Sequence, residues 1–172
     1  MTLDRLWAGW RSGYITAASS DPMVLGADAD GRSLFERILH SGLPDEETFV
    51  LSRSERCFVV LNAYPYGTGH LLVLPQRAVA DLEDLDRDET TELWAEVSAG
   101  VVAVKRAYRP DGVNVGANLG AAAGAGVPDH LHIHVLPRWS ADSNFMTAVA
   151  EARVLPEPLD ETWRKLRAAW PE

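Results

Sequence analysis

His130-Leu131-His132-Ile133-His134-Val135-Leu136-Pro137-Arg138 is the stretch that decides how the rest of the chain is read. Three of the chain's five histidines fall within five residues and alternate with apolar ones. Side chains of a β-strand alternate between faces, so the three imidazoles share one face and Leu131, Ile133 and Val135 the other. A strand expected over His130 to Leu136 would bury one face and line the other with imidazole. That side chain suits proton transfer, nucleophilic attack or metal ligation near neutral pH. Same-face neighbours on a strand stand roughly 7 Å apart. Two of these histidines could share a metal, but three do not easily converge on one. No Asp, Glu or Cys at ligand spacing completes such a site. The pattern favours nucleophilic or acid–base work over metal ligation, with three buried structural histidines as the plainer alternative.

The segment preceding the histidines points to phosphorus. Gly116-Ala117-Asn118-Leu119-Gly120-Ala121-Ala122-Ala123-Gly124-Ala125-Gly126 carries side chains small enough for backbone N–H groups to approach an anion closely. It reads as a phosphate cradle or, more plainly, as a flexible loop. It is not a P-loop, because no Gly-Lys-Ser/Thr follows and the next element reads as a strand.

Further upstream, strands are expected over Thr48 to Leu51, Cys57 to Leu61 and His70 to Leu74, the last after a turn carrying Pro65, Gly67 and Gly69. Asp86 and Glu89 make a capping box for a long helix. Its expected buried stripe is Leu93, Trp94, Val97, Val101, Val104 and Tyr108, and Arg109-Pro110-Asp111-Gly112 ends it. A strand over Val113 to Asn118 precedes the histidine strand. Ser33 to His40 has helical spacing, and Asp160 opens a last short helix with Trp163 and Leu166. The opening Leu3 to Arg11, with Tyr14, is aromatic, and small, acidic, aperiodic residues follow from Ala17 to Gly31. The chain therefore divides into an arm and linker over 1–31 and a domain over 32–172. Strands, a long helix, strands and a helix indicate an α+β fold with an antiparallel sheet.

At 172 residues the chain is long enough for one domain with a real core, and 47% hydrophobic and 24% charged residues are ordinary for a globular protein. A net charge of -9 argues against nucleic acid as a partner, whereas a small phosphorylated substrate needs only a local pocket of donors. The single Cys57, in apolar Cys57-Phe58-Val59-Val60, reads as a buried strand residue and permits no disulfide framework. Asp4, Arg5 and Arg11 interrupt any signal-peptide stretch. No run approaches the ~20 apolar residues of a membrane span, so no membrane association and a cytoplasmic location are expected.

The histidine stretch resembles the signature of the histidine-triad (HIT) family. Asn114-Val115-Gly116-Ala117-Asn118-Leu119-Gly120, Ala123-Gly124, Phe58-Val59-Val60-Leu61-Asn62 and Gly69-His70-Leu71-Leu72-Val73 are similar to that family too. The resemblance covers about Glu47 to Pro156. The Leu-Trp-x-x-Trp-Arg opening and the segment from Pro137-Arg138-Trp139 to Asn144-Phe145-Met146 look like the bacterial and archaeal branch that includes diadenosine-tetraphosphate phosphorylases.

This resemblance implies an α+β fold with a five-stranded antiparallel sheet, a homodimer with coplanar sheets, and nucleotidyl chemistry at the α-phosphate of an adenine nucleotide. By the family pattern His132 is the nucleophile and forms a nucleotidyl-histidine intermediate. His134 lies beside the phosphate and leaving group, and His130 supports His132 with His70 behind. Asn118 matches a phosphate or bridging-oxygen contact and Asn62 a position near the ribose. Gly124, Ala125, Gly126 and Val127 are expected to turn backbone N–H groups to the phosphate, as an oxyanion hole does. Many relatives carry zinc, but the matching positions here are Ser33, Glu36 and Ala78, so no metal and no cofactor is expected. Ala125-Gly126 replaces the family's usual polar pair, and Pro128-Asp129 suggests one extra residue. The activity implied is cleavage of a dinucleoside polyphosphate such as diadenosine tetraphosphate, by hydrolysis or with inorganic phosphate as second substrate. The alternatives are an adenosine phosphoramidate hydrolase and a nucleotide-binding regulatory dimer with little activity.

Overall fold

Cys57-Phe58-Val59-Val60-Leu61 and Leu71-Leu72-Val73-Leu74-Pro75 are apolar at every position rather than at alternate ones. Such strands need cover on both faces. A computed structural model describes residues 31–142 and 157–171, and in it both strands are buried throughout. In chain order the elements are α1 (Leu34–Leu39), α2 (Asp45–Thr48), β1 (Val50–Arg53), β2 (Cys57–Leu61), β3 (Leu71–Pro75), α3 (Arg87–Tyr108), β4 (Gly112–Ala117), β5 (Ile133–Arg138) and α4 (Leu159–Ala169). The strands form one five-stranded sheet in the order β1-β2-β3-β5-β4, and every neighbouring pair is antiparallel. The expected fold class is what the chain adopts.

The two faces of the sheet are covered unequally. Leu51, Val59, Leu71, Val73, Ile133 and Val135 pack on one face with Leu93, Val97 and Val104 of α3 and Leu166 of α4. Phe58, Val60, Leu72 and Leu74 on the other face, with Val50, meet Phe35 and Leu39 of α1 among the described residues, with Ile38 and Val127 alongside. A six-residue helix cannot cover a five-stranded sheet, and the part it leaves uncovered holds the cleft described below.

α3 begins where its capping box requires: Asp86 accepts the Glu89 N–H at 2.8 Å and Glu89 accepts the Asp86 N–H at 2.9 Å. Arg77 closes on the same Glu89 carboxylate from outside at 2.5 and 2.7 Å. Through that hydrogen bond Arg77 holds the carboxyl below its ordinary range. The buried stripe is Leu93, Val97, Gly100 and Val104, while Trp94 is 48% exposed, contrary to expectation. Trp94 lies about 100° around the helix from Leu93 and faces outward.

Four strands differ in their bounds from the sequence reading; β3 runs Leu71–Pro75 instead of His70 to Leu74. Asp45–Thr48 form a helical turn and Phe49 takes a left-handed conformation (φ 58°), so β1 starts at Val50 instead of Thr48. β4 runs from Gly112 and ends at Ala117, before Asn118. β5 begins at Ile133 instead of His130, because the His130 N–H turns to the Val127 carbonyl at 3.4 Å and the Leu131 N–H to the Val79 carbonyl at 2.6 Å. The face assignment survives this shift: Leu131, Ile133 and Val135 belong to the α3 side. Cys57 is fully buried in β2, and burial, reinforced by Glu92, pushes its thiol up to about 12. Among the described residues no helix is long and apolar enough to cross a membrane. The aromatic opening (3–14), the Ala17 to Asp30 part of the linker and the Asn144-Phe145-Met146 end of the segment after the histidines lie outside the described residues.

Candidate active site

The half-covered face carries a cleft of about 630 Å³, counting its open mouth. Leu34, Phe35 and Ile38 of α1 form one apolar wall, and Val60, Leu61 and Leu72 the floor. Asn62, Ala63, Tyr64 and Tyr66 come from the β2–β3 turn, Gly126 and Val127 from the loop before the histidines, and His132 and His134 close the inner end. An apolar slot ending in a few converging polar groups is the form ligand sites commonly take.

Three hydrogen-bond chains fix the imidazoles. His130, wholly buried, lies with Nε2 2.9 Å from the Pro75 carbonyl and Nδ1 2.6 Å from Ser33 Oγ. A carbonyl only accepts, so Nε2 carries the proton and the Ser33 hydroxyl donates to Nδ1. His132 has Nδ1 2.8 Å from the His130 carbonyl, so it donates from Nδ1 and its Nε2 keeps a bare lone pair. His134 receives the opposite arrangement. The Tyr66 backbone N–H donates to His70 Nδ1 at 3.0 Å, so His70 Nε2 holds the proton and donates to His134 Nδ1 at 2.9 Å. That leaves His134 with N–H on Nε2, a buried atom without an acceptor among the described residues.

Burial, followed by the neighbouring His132, pushes His134 down to about 4. Burial also lowers His130 and His132. All three are neutral near pH 7, and the His132 and His134 rings meet edge-on with centroids 5.0 Å apart. A lone pair and an N–H therefore stand side by side, the pairing a displacement needs at its entering and leaving ends.

The remaining candidates are placed as follows. Asn62 lines the cleft, accepts the Tyr64 N–H through Oδ1 at 2.9 Å, and lies 3.3 Å from His70 Nδ1 through Nδ2. His70 joins His134 through Nε2 at 2.9 Å. Gly126 and Val127 line the cleft, and their N–H groups have no partner among the described residues. The N–H groups of Gly124 and Ala125 are turned inward, to Ala121 and Gly120 carbonyls at 3.0 and 3.3 Å. Asn118 follows the last β4–β5 pair, Ala117 with Ile133, and is outside the cleft lining. Arg138, in the same strand as the histidines, is held by Asp142 and Asn114.

Sequence reasoning missed Phe35, whose ring lies 5.4 Å from both His130 and His132, and Tyr66, stacked at 5.5 Å on His134. It also missed Ser33 as a partner of His130. The Ser-x-x-Glu spacing of Ser33 and Glu36 was the available signal for a capping box, and the structure forms it.

Comparison with known proteins follows the same lines. The chain is 41% identical over 170 residues to an AP-4-A phosphorylase of Mycobacterium tuberculosis, covering 98% of this chain and 85% of the relative. It is 37% identical over 93 residues to the asymmetrical bis(5'-nucleosyl)-tetraphosphatase of Schizosaccharomyces pombe, covering 54% of this chain and 50% of that one. A solved zinc-bound histidine triad family protein from Mycobacterium smegmatis superposes with a TM-score of 0.64 at 29% identity, covering 80% of this chain and 91% of its own. Ser33, Glu36 and Ala78 do not fit a zinc ion. The serine hydroxyl is spent on His130, the Glu36 carboxylate on the Ser33 and Ala78 N–H groups, and Ala78 brings no side-chain ligand. The HIT domain is matched over residues 44–141, and with that span, the fold and the relatives in agreement, this chain belongs to the HIT family.

Proposed function

We propose that the protein cleaves a dinucleoside polyphosphate of the diadenosine tetraphosphate kind at an α-phosphate, through a nucleotidyl-histidine intermediate. The observation that carries this reading is the pair of opposite tautomers, a bare Nε2 on His132 beside an N–H Nε2 on His134. The adenine side of the substrate lies in the apolar slot of Leu34, Phe35 and Ile38, with Asn62 near the ribose. Nε2 of His132 attacks the α-phosphorus; a P–N bond forms as the P–O bond to the remaining polyphosphate breaks. The His134 Nε2–H hydrogen-bonds the departing oxygen, and the Gly126 and Val127 amides stabilise charge on the phosphoryl oxygens. Inorganic phosphate or water then attacks the adenylyl-histidine and restores neutral His132, giving ADP or AMP. The relatives named as a phosphorylase and a tetraphosphatase support this class of reaction.

A homodimer in the cytoplasm accompanies this reading, as does the division into an arm over 1–31 and a domain over 32–172. Support for dimerisation comes from the sheet edges. β4 is an edge strand with Val115 42% exposed, whereas the β1 edge is covered by Trp163, whose indole N–H donates to the Val50 carbonyl at 2.8 Å.

The test is turnover of diadenosine tetraphosphate with and without inorganic phosphate, with products separated by chromatography. ADP plus ATP formed only with phosphate identifies a phosphorylase, and AMP plus ATP in both conditions a hydrolase. No cleavage in either condition overturns the proposal.

A further inference from the structure

Ser33 and Glu36, at the head of α1, reach further than the helix they cap. Ser33 Oγ donates to His130 Nδ1 at 2.6 Å while accepting the Glu36 N–H at 3.2 Å. Glu36 accepts the Ser33 N–H through one oxygen at 2.8 Å and the Ala78 N–H through the other at 3.1 Å. The segment just after β3 is thus tied to α1 by Ala78 and to the histidine segment by two carbonyls, Pro75 on His130 Nε2 and Val79 on the Leu131 N–H. The junction sits against Phe35, which touches the rings of both His130 and His132.

We propose that Ser33 and Glu36 are positioning residues with separable tasks: Ser33 holds the His130 ring, whose tautomer the Pro75 carbonyl sets, in place and through it the aim of His132, and Glu36 seats α1 as the wall of the nucleotide slot. The separation follows from the bonding. Removing the Ser33 hydroxyl leaves both Glu36 bonds to backbone N–H groups in place, so α1 stays seated. His130 keeps its Nε2–H on the Pro75 carbonyl but loses the donor that held Nδ1, so one of the two bonds fixing the ring is gone, and the backbone carbonyl holding His132 Nδ1 belongs to this same residue. Replacing Glu36 by Gln removes an acceptor for one of two backbone N–H groups and leaves the Ser33–His130 bond available.

The consequences for turnover rest on the function proposed above, so one measurement is independent of it. Imidazole 15N NMR on the full-length wild-type protein should show His130 in the Nε2–H form. In Ser33→Ala the tautomer should stay, held by Pro75, while the Nδ1 resonance should move toward that of a lone pair with no donor, and Ser33→Thr should restore it. In the enzymatic assay Ser33→Ala should lower kcat about tenfold with KM within about twofold, and Ser33→Thr should recover most of the loss. Glu36→Gln should instead raise KM for the dinucleotide about tenfold while the His130 signal stays as in wild type. An unchanged His130 Nδ1 resonance in a folded Ser33→Ala protein overturns the assignment, whatever the activity. Equal losses of kcat and KM in both variants overturn the division of tasks. If wild type cleaves no dinucleotide, the proposed activity falls, and the NMR result alone decides the role of Ser33.

Discussion

Each imidazole of the triad is set by a backbone group. The His130 carbonyl takes the proton-bearing nitrogen of His132, and the Tyr66 N–H, relayed through His70, dictates the form of His134. His132→Ala should therefore lose turnover by several orders of magnitude, because among the described residues no other bare imidazole nitrogen lines the cleft, yet still bind AMP in the apolar slot. Steady-state kinetics with calorimetry checks this, and near-normal turnover would reject the assignment. The same burial makes stability pH-dependent. His134 has been pushed down to about 4, and His130 and His132 are lowered too, whereas an unfolded histidine titrates near 6.5. Between those values the unfolded chain binds more protons, so stability falls as pH drops from about 6.5 toward 4 and is fully present above that window. Urea midpoints at pH 7 and pH 5 should differ in that direction; equal midpoints would contradict it. The histidine face was legible because a period of two is a local property of sequence. The Ser33–His130 bond joins residues 97 apart, and the tautomers depend on main-chain groups that no side-chain pattern encodes. For the same reason the inward-turned amides of Gly124 and Ala125 were invisible among small residues that look alike.

At the scale of elements, the β2–β3 turn positions the site. Gly69 precedes His70 with φ +77°, and a Cβ there would come within 2.9 Å of the Tyr108 ring and 3.1 Å of Pro137. Gly69→Ala should destabilise by about 2 kcal/mol from the left-handed backbone and the clash together. Because it also displaces His70, kcat should fall more than AMP affinity. Urea unfolding and single-turnover rates report the two effects separately. The two buried strands, the capped long helix and the final helix were legible because each carries a strong signal: unbroken apolar runs, Asp86 with Glu89, and Trp163 with Leu166. The short elements were not. Asp45–Thr48 is a four-residue turn whose form depends on docking against its neighbours, and β5 begins only where its partner Ala117 meets Ile133. Outward-facing Trp94 shows the limit of reading a helix stripe when an apolar residue lies at its margin.

For the molecule as a whole, the proposed dimer would be directional, because among the described residues the β1 edge is covered by Trp163 and the β4 edge is not paired. If β4 pairs with β4 of a second copy, sedimentation should give twice the 18.8 kDa chain mass, and Val115→Lys should shift the equilibrium toward monomer by burying an unpaired charge. A wild-type monomer at micromolar concentration would exclude this interface. The lone Cys57 offers a different handle on the intact molecule. With no exposed surface and a thiol that resists ionisation, it is inert to alkylating reagents while the sheet is closed. Its labelling rate is therefore a native clock for the opening of the sheet, one atom per chain and no engineered probe. Slowing of that clock by a bound nucleotide would measure how much the ligand steadies the fold.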